Sequence, residues 1–209
     1  RLIDTHSHLF LEEFSEDFPQ VIERARAAGV THIFMPNIDS TTIEAMLSAC
    51  SVYKGYCFPM IGLHPTSVNA NYEKELEIVA RELKFSKEYV AIGEIGMDLY
   101  WDKTYLKEQQ IVLDKQVNWA LEYDLPIVIH CRDAFDYIYK VLEPYKKTPL
   151  RGIFHSFTGT AEEAARVLEF SDFFIGINGV VTFKKSHLPE ILAGIPLEKI
   201  VLETDSPYL

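Results

Sequence analysis

The chain has 209 residues, 48% of them hydrophobic and 24% charged, proportions that suit one folded, cored domain over residues 1–209 rather than a disordered chain. No run approaches the roughly 18 apolar residues of a membrane span, and no secretory leader pattern is present, so no membrane association is expected and the cytosol is the expected compartment. A net charge of −11 argues against a sequence-reading nucleic-acid binder, which normally carries a basic patch to neutralise phosphates, although a metal enzyme escapes part of that objection because its ions supply positive charge at the site.

Short apolar runs alternate with helical patterns along the chain. Residues 2–3 form the first run and lead into Asp4-Thr5-His6-Ser7-His8. Val21, Ile22, Ala25 and Ala28 then recur at helical spacing, with Gly29 as a C-terminal stop. Residues 30–35 are the second run, after which Thr41-Thr42-Ile43-Glu44 fits a capping box opening a helix. The third and fourth runs are 57–62 and 90–93. A long helical stretch follows over 105–123, its apolar face including Ile111, Val112, Val117 and Leu121, and Leu125-Pro126 ends it. Residues 127–129, 152–154, 173–176 and 200–202 complete the runs, with Thr160-Ala161-Glu162-Glu163 as a second capping box.

Eight nearly continuous apolar runs read as strands buried on both faces, as in parallel sheets. Strand followed by helix, repeated, means α/β, either a doubly wound sheet or a (β/α)₈ barrel. Neither a G-x-G-x-x-G nor a P-loop occurs, and Asp4-Thr5-His6-Ser7-His8 stands where a phosphate loop would follow the first strand. The barrel is therefore expected, without its final helix, because the sequence stops just past the eighth strand. Cys50, Cys57 and Cys131 are odd in number and lack C-x-x-C spacing, so they are read as buried structural thiols.

The histidines and acids fall at equivalent places. His6 and His8, two apart in an extended segment, can face one point. Glu94 follows the fourth run, His130 the fifth and His155 the sixth, and Asp205 lies just past the eighth. In a barrel these ends open on one face, where barrel active sites are found. One histidine after a strand is usually a hydrogen-bonded structural residue, but six such groups at the same relative position point to a metal site. Imidazole with carboxylate and no thiolate suits Zn, Mn or a similar divalent ion, and six ligands suit two ions sharing a carboxylate. His64 is open between substrate contact and structure, while His32 and His187 are read as non-catalytic.

In order along nearly the whole chain stand Ile3-Asp4-Thr5-His6-Ser7-His8, Gly62-Leu63-His64-Pro65, Gly93-Glu94-Ile95-Gly96-Met97-Asp98, the segment from Pro126 to Ala134, His155-Ser156-Phe157-Thr158-Gly159, and Leu202-Glu203-Thr204-Asp205-Ser206-Pro207-Tyr208-Leu209. With these motifs the chain resembles the TatD family of metal-dependent deoxyribonucleases, within the amidohydrolase-like barrels. The resemblance implies that His6, His8, Glu94, His130, His155 and Asp205 are metal ligands, that Glu94 bridges two divalent ions (Zn, Mg or Mn), and that Asp205 is also the general base. It places Arg132 near substrate phosphate; a salt bridge to Asp133 or Asp136 is the structural alternative. DNA or a related nucleic acid is the implied substrate, with no obligate protein partner. Because the family usually continues beyond the Glu203–Leu209 motif, the chain is expected to be part of a longer natural one. Two other readings stand beside the nuclease. One is a hydrolase of an amide, lactone or cyclic imide, some of which carry a lysine where this chain has Glu94. The other is a metal-binding scaffold without activity.

Overall fold

Eight strands and seven α-helices alternate along the computed structural model, which describes residues 1–209. The strands are β1 (Leu2–Asp4), β2 (Val30–Pro36), β3 (Cys57–Met60), β4 (Ile92–Asp98), β5 (Ile127–Arg132), β6 (Gly152–Phe154), β7 (Phe173–Ile177) and β8 (Ile200–Leu202). The helices are α1 (Phe18–Ala27), α2 (Ile43–Val52), α3 (Tyr72–Phe85), α4 (Leu106–Glu122), α5 (Phe135–Leu142), α6 (Ala161–Val167) and α7 (Leu188–Leu192). Every strand pairs in parallel with its sequence neighbours, in the runs β1-β2-β3 and β4-β5-β6-β7-β8. Two short seams join the runs. Ile61 bridges to Ile92, and Gly93 N donates to Ile61 O at 2.9 Å. On the other side Thr5 N donates to Leu202 O at 3.0 Å and Asp205 N to His6 O at 2.8 Å. The sheet thus closes on itself as a (β/α)₈-type barrel, with all strand C-termini on one face.

Local chemistry sets the helix ends. α1 stops where expected, at Gly29, whose φ of 88° suits a residue without a Cβ. The box at α6 forms: Thr160 Oγ1 accepts from Glu163 N at 3.1 Å, and Glu163 Oε2 from Thr160 N at 2.9 Å. The expected box at Thr41 does not. A 3₁₀ turn over Ser40–Thr42 precedes α2, so the unpaired N–H groups begin earlier and Asp39 caps them, accepting from Thr41 N at 2.9 Å.

α4 covers nearly the expected range and buries Val112, Leu113, Val117 and Ala120 against the barrel. Ile111, read from the sequence as part of that face, instead lies exposed on the outside. α4 also buries two amides that hold strand ends. Gln116 Oε1 accepts from Leu63 N at 2.8 Å. Gln109 Oε1 accepts from Asp98 N at 2.8 Å while its Nε2 donates to Asp98 O at 3.1 Å.

One cluster of 42 buried hydrophobic residues lies in and around the barrel, with Ile22, Met46, Leu113 and Phe173 fully enclosed. Each such side chain contributes about 1.5–3 kcal/mol relative to exposure. No helix follows β8 within these residues, and Leu2, Ile3 and Leu202 beside it are 46%, 46% and 54% exposed. Cys50 and Cys57 are buried as read, but Cys131 is half-buried and borders a cleft, because β5 carries it past the core to the open face. No helix is long and apolar enough to cross a membrane.

Candidate metal centre

Two strands run further than their apolar stretches suggest. β4 continues through Glu94 to Asp98, and β5 through His130 to Arg132, so Glu94 and His130 lie inside strands rather than after them. Gly96 permits this pairing. Its φ is 143°, and a Cβ there would fall 1.9 Å from His130 O, so only glycine lets β4 approach β5 at the level of the two side chains. His155 directly follows β6, and Asp205 lies three residues beyond β8. Ser156 (φ 46°) and Asp205 (φ 58°) both turn through the left-handed region at the cleft, a conformation that ordinary residues adopt mainly where the surroundings impose it.

These residues converge on Glu94. Its Oε2 lies 3.1 Å from His6 Nε2 and 3.5 Å from His8 Nε2. Its Oε1 lies 2.7 Å from His155 Nε2, 2.9 Å from His130 Nδ1 and 3.3 Å from His64 Nε2. Asp205 Oδ1 is 3.6 Å from both His6 Nε2 and His8 Nε2. The structure therefore brings together His6, His8, Glu94, His130, His155 and Asp205, and His64 with them. His32 lies elsewhere, stacked on Phe58 and next to Thr31 Oγ1 at 2.9 Å. His187 precedes α7 and makes no side-chain cap there. His64 has the structural role that the sequence left open, its Nδ1 accepting from Thr66 N at 3.1 Å and ordering the turn after β3, while its Nε2 faces Glu94.

Three further acids were missed by sequence reading. Asp98 Oδ2 meets His130 Nε2 at 2.8 Å, and its Oδ1 accepts from Tyr100 N at 3.0 Å. Glu203 Oε1 accepts from Ser156 N at 2.6 Å and lies 3.4 Å from His155 Nδ1. Asp4 Oδ1 accepts from Thr204 N at 2.9 Å and His6 N at 3.2 Å, and its Oδ2 from Thr204 Oγ1 at 2.7 Å, which ties β1 to the segment carrying Asp205. A signal existed for all three: each stands an even number of residues from a chosen ligand, four from Glu94, two from Asp205 and two from His6.

The electrostatics follow from burial and crowding. Burial alone would raise the Glu94 carboxyl, but the imidazoles of His155, His6, His64 and His130 hold it well below the carboxylate range. His8 rises to about 9: burial opposes its charge, and Asp205 and Glu94 overcome that. His155 is raised well above its ordinary value, Glu94 and Glu203 outweighing burial. His6 and His64 move down, chiefly through burial. Asp205 is held low against burial by His8, His155 and His6. Asp4, buried, rises to about 6 despite its bonds to Thr204.

The donor set fits divalent cations. His6 Nε2 has His8 Nε2, Glu94 Oε2 and Asp205 Oδ1 all within 3.6 Å, and one N–H cannot serve three directions at once. A cation can. His6, His8 and Asp205 form one compact group of candidate ligands, and His64, Glu94 and His130 another. Nitrogen and carboxylate oxygen without thiolate match Zn, Mn or Mg better than softer ions.

The cluster forms the floor of a cavity of about 660 Å³, with Trp101, Arg132 and Tyr208 at its walls. A neighbouring cleft of about 570 Å³ runs between the loops after β5 and β6 and shares Arg132, Cys131 and Ser156 with the first. Arg132 pairs with neither Asp133 nor Asp136. Asp136 accepts from Arg166 at 2.8 Å, and the Arg132 guanidinium lies over the Tyr100 ring.

A closed parallel barrel with imidazoles and carboxylates gathered at its strand ends defines the amidohydrolase-like class of metal-dependent hydrolases. Residues 3–209 match the model of TatD related DNases, and the chain belongs to that family. It is 36% identical over 209 residues to a Bacillus subtilis (strain 168) protein named uncharacterized metal-dependent hydrolase YabD, covering all of this chain and 81% of that protein. It is 33% identical over 210 residues to the 3'-5' ssDNA/RNA exonuclease TatD of Pantoea sp. (strain At-9b), covering all of this chain and 80% of the relative. The crystal structure of YjjV, a TatD homologue from Escherichia coli K12, superposes with a TM-score of 0.91 at 31% identity, over 99% of this chain and 79% of that one. A TatD family hydrolase from Entamoeba histolytica has the same fold, with a TM-score of 0.84 at 24% identity over 98% of this chain and 73% of its own.

Proposed function

We propose that residues 1–209 act as one domain, a divalent-metal-dependent nuclease that hydrolyses phosphodiester bonds of single-stranded DNA or a related nucleic acid in the cytoplasm. The observation that carries this reading is the placement of Glu94, whose two oxygens face different sets of imidazoles at 2.7–3.5 Å. A carboxylate so placed suits two ions, of which His6, His8 and Asp205 would hold one and His130 and His155 the other. Single-stranded nucleic acid as substrate follows from the names of relatives such as the Pantoea exonuclease.

When bound, Zn, Mg or Mn ions supply Lewis-acid chemistry, acidifying water and offsetting charge on a phosphoryl group. The chain's own residues do the rest. Asp205, held low in pKa, is ionised at neutral pH and takes the proton from the attacking water. Arg132, with no carboxylate partner, offers its planar fork to a phosphate at the cavity wall. His64 borders the same space as a substrate contact. In a chain of net charge −11, these local groups hold the strand in place of a long basic groove.

The test is cleavage of labelled single-stranded and duplex DNA by chelator-stripped protein, with Zn, Mg or Mn added back. Metal-dependent cleavage, faster on the single strand, is expected. No cleavage with any of these ions, alongside turnover of an amide or lactone, would overturn the proposal.

A further inference from the structure

Two large aromatic side chains stand uncovered at the rim of the metal cavity. Tyr100 and Trp101 follow the end of β4 and are 53% and 72% exposed. Their rings meet edge to face at 90°, with centroids 4.8 Å apart. The Arg132 guanidinium lies over both rings, 3.8 Å from the Tyr100 centroid and 5.3 Å from that of Trp101, and the indole still keeps 72% of its surface exposed. The arrangement is tethered from below. Tyr100 N donates to Asp98 Oδ1, and the other oxygen of Asp98 meets His130. Trp101 also lines the same cavity as Glu94, His130, Arg132 and Asp205.

We propose that Trp101 is a stacking platform for one unpaired nucleobase of the substrate, with Arg132 beside it for the adjoining phosphate. This rests on the nuclease reading and adds to it the group that recognises the base. A flat apolar face next to an unpaired guanidinium, both facing the metal cluster, matches a ligand that joins an aromatic ring to a phosphate. Every base has a π-face, so the platform tolerates all bases. A base within a duplex has both faces already stacked, so the platform selects single strands and frayed ends.

The chain has two tryptophans, Trp101 and Trp119, and Trp119 lies on the outer side of α4. In Trp119→Phe the remaining indole emission therefore reports on Trp101. A short oligothymidylate, added with a chelator so that no turnover occurs, should quench that emission saturably, and an oligomer of abasic deoxyribose phosphates should not. With metal restored, Trp101→Ala should raise KM for oligothymidylate about 5- to 150-fold, the equivalent of about 1–3 kcal/mol for one stacked base. Its kcat and its bound metal should hold, since stacking acts on ground and transition states alike. Activity on the abasic oligomer should be unchanged, and Trp101→Phe should recover most of the loss. An unchanged KM in Trp101→Ala, with cleavage intact, would overturn the platform and leave the nuclease reading standing. If the wild-type protein cleaves neither oligomer with any ion, the nuclease reading falls. The platform then stands on base-dependent quenching and is overturned by its absence.

Discussion

Replacing Asp98 with Asn tests whether His130 is held for metal binding by its neighbour. Asp98 is almost wholly buried, and its two oxygens serve two different groups: Oδ2 meets His130 Nε2 at 2.8 Å and Oδ1 accepts from Tyr100 N at 3.0 Å. Asp98 turns Nδ1 of His130 toward Glu94, 2.9 Å away, and with Nδ1 given to a metal His130 would carry its proton on Nε2, donated to Asp98. A carboxamide has one accepting oxygen, so in Asp98→Asn either the imidazole or the Tyr100 N–H faces an NH₂ group. An unsatisfied buried donor costs about 1–3 kcal/mol. Loss of such an outer partner typically lowers metal affinity about 10- to 100-fold, which is about 1.4–2.8 kcal/mol, so the two estimates agree. Affinity is measured by competition of stripped protein against a chromophoric chelator, with thermal unfolding of the metal-free form as control. Affinity equal to wild type in a folded Asp98→Asn protein would refute the reasoning, because His130 would then need no partner to present Nδ1.

Other substitutions probe other steps. Asp205→Asn keeps one oxygen and loses basicity, so turnover at saturating metal should fall about 10²–10⁴-fold while bound metal falls modestly; near-normal turnover would make Asp205 a ligand only. Gly96→Ala places a Cβ 1.9 Å from His130 O at a φ of 143°, and should cost about 3 kcal/mol or more, read as a lower urea midpoint; an unchanged midpoint would contradict the close approach of β4 to β5. Burial pushes the Cys50 and Cys57 thiols up to about 12 from 9.0. The sign follows: their contribution to stability is full below pH 9, where the unfolded thiol ionises, and is lost as pH rises toward about 12, at about 1.4 kcal/mol per unit for each thiol. Urea unfolding in buffers from pH 9.0 toward about 12 should show that slope, and a Cys50→Ala, Cys57→Ala double variant should flatten it.

The barrel was legible because parallel strands are covered on both faces and so read as short apolar runs between helical stretches. Strand ends were less legible where they carry the site. Glu94, Gly96 and Asp98 look like a loop by composition, yet they belong to β4, every residue of which is buried, so no polar face marks the strand in the sequence. His6, His8, His130, His155 and Asp205 could be picked out because each follows or ends an apolar run. Partnerships between distant elements left no such mark. Nothing in the spacing pairs Asp98 with His130, Asp4 with Thr204, or Gln109 with the backbone of Asp98, since these contacts depend on the register of β4 against β5, the closing seam of the barrel and the packing of α4, and not on local period. The same holds for Arg132, whose nearby acids in sequence suggest a salt bridge that its position over Tyr100 replaces.

Glu94 serves two ions at once in the proposed centre, and a metal titration of stripped protein tests this most directly, with bound ions counted and single-strand cleavage followed in the same samples. Cleavage should rise as a second equivalent binds, and Glu94→Gln, which offers one oxygen in place of two, should lose both that equivalent and the activity. Full cleavage with one ion per chain, or by Glu94→Gln at saturating metal, would contradict it.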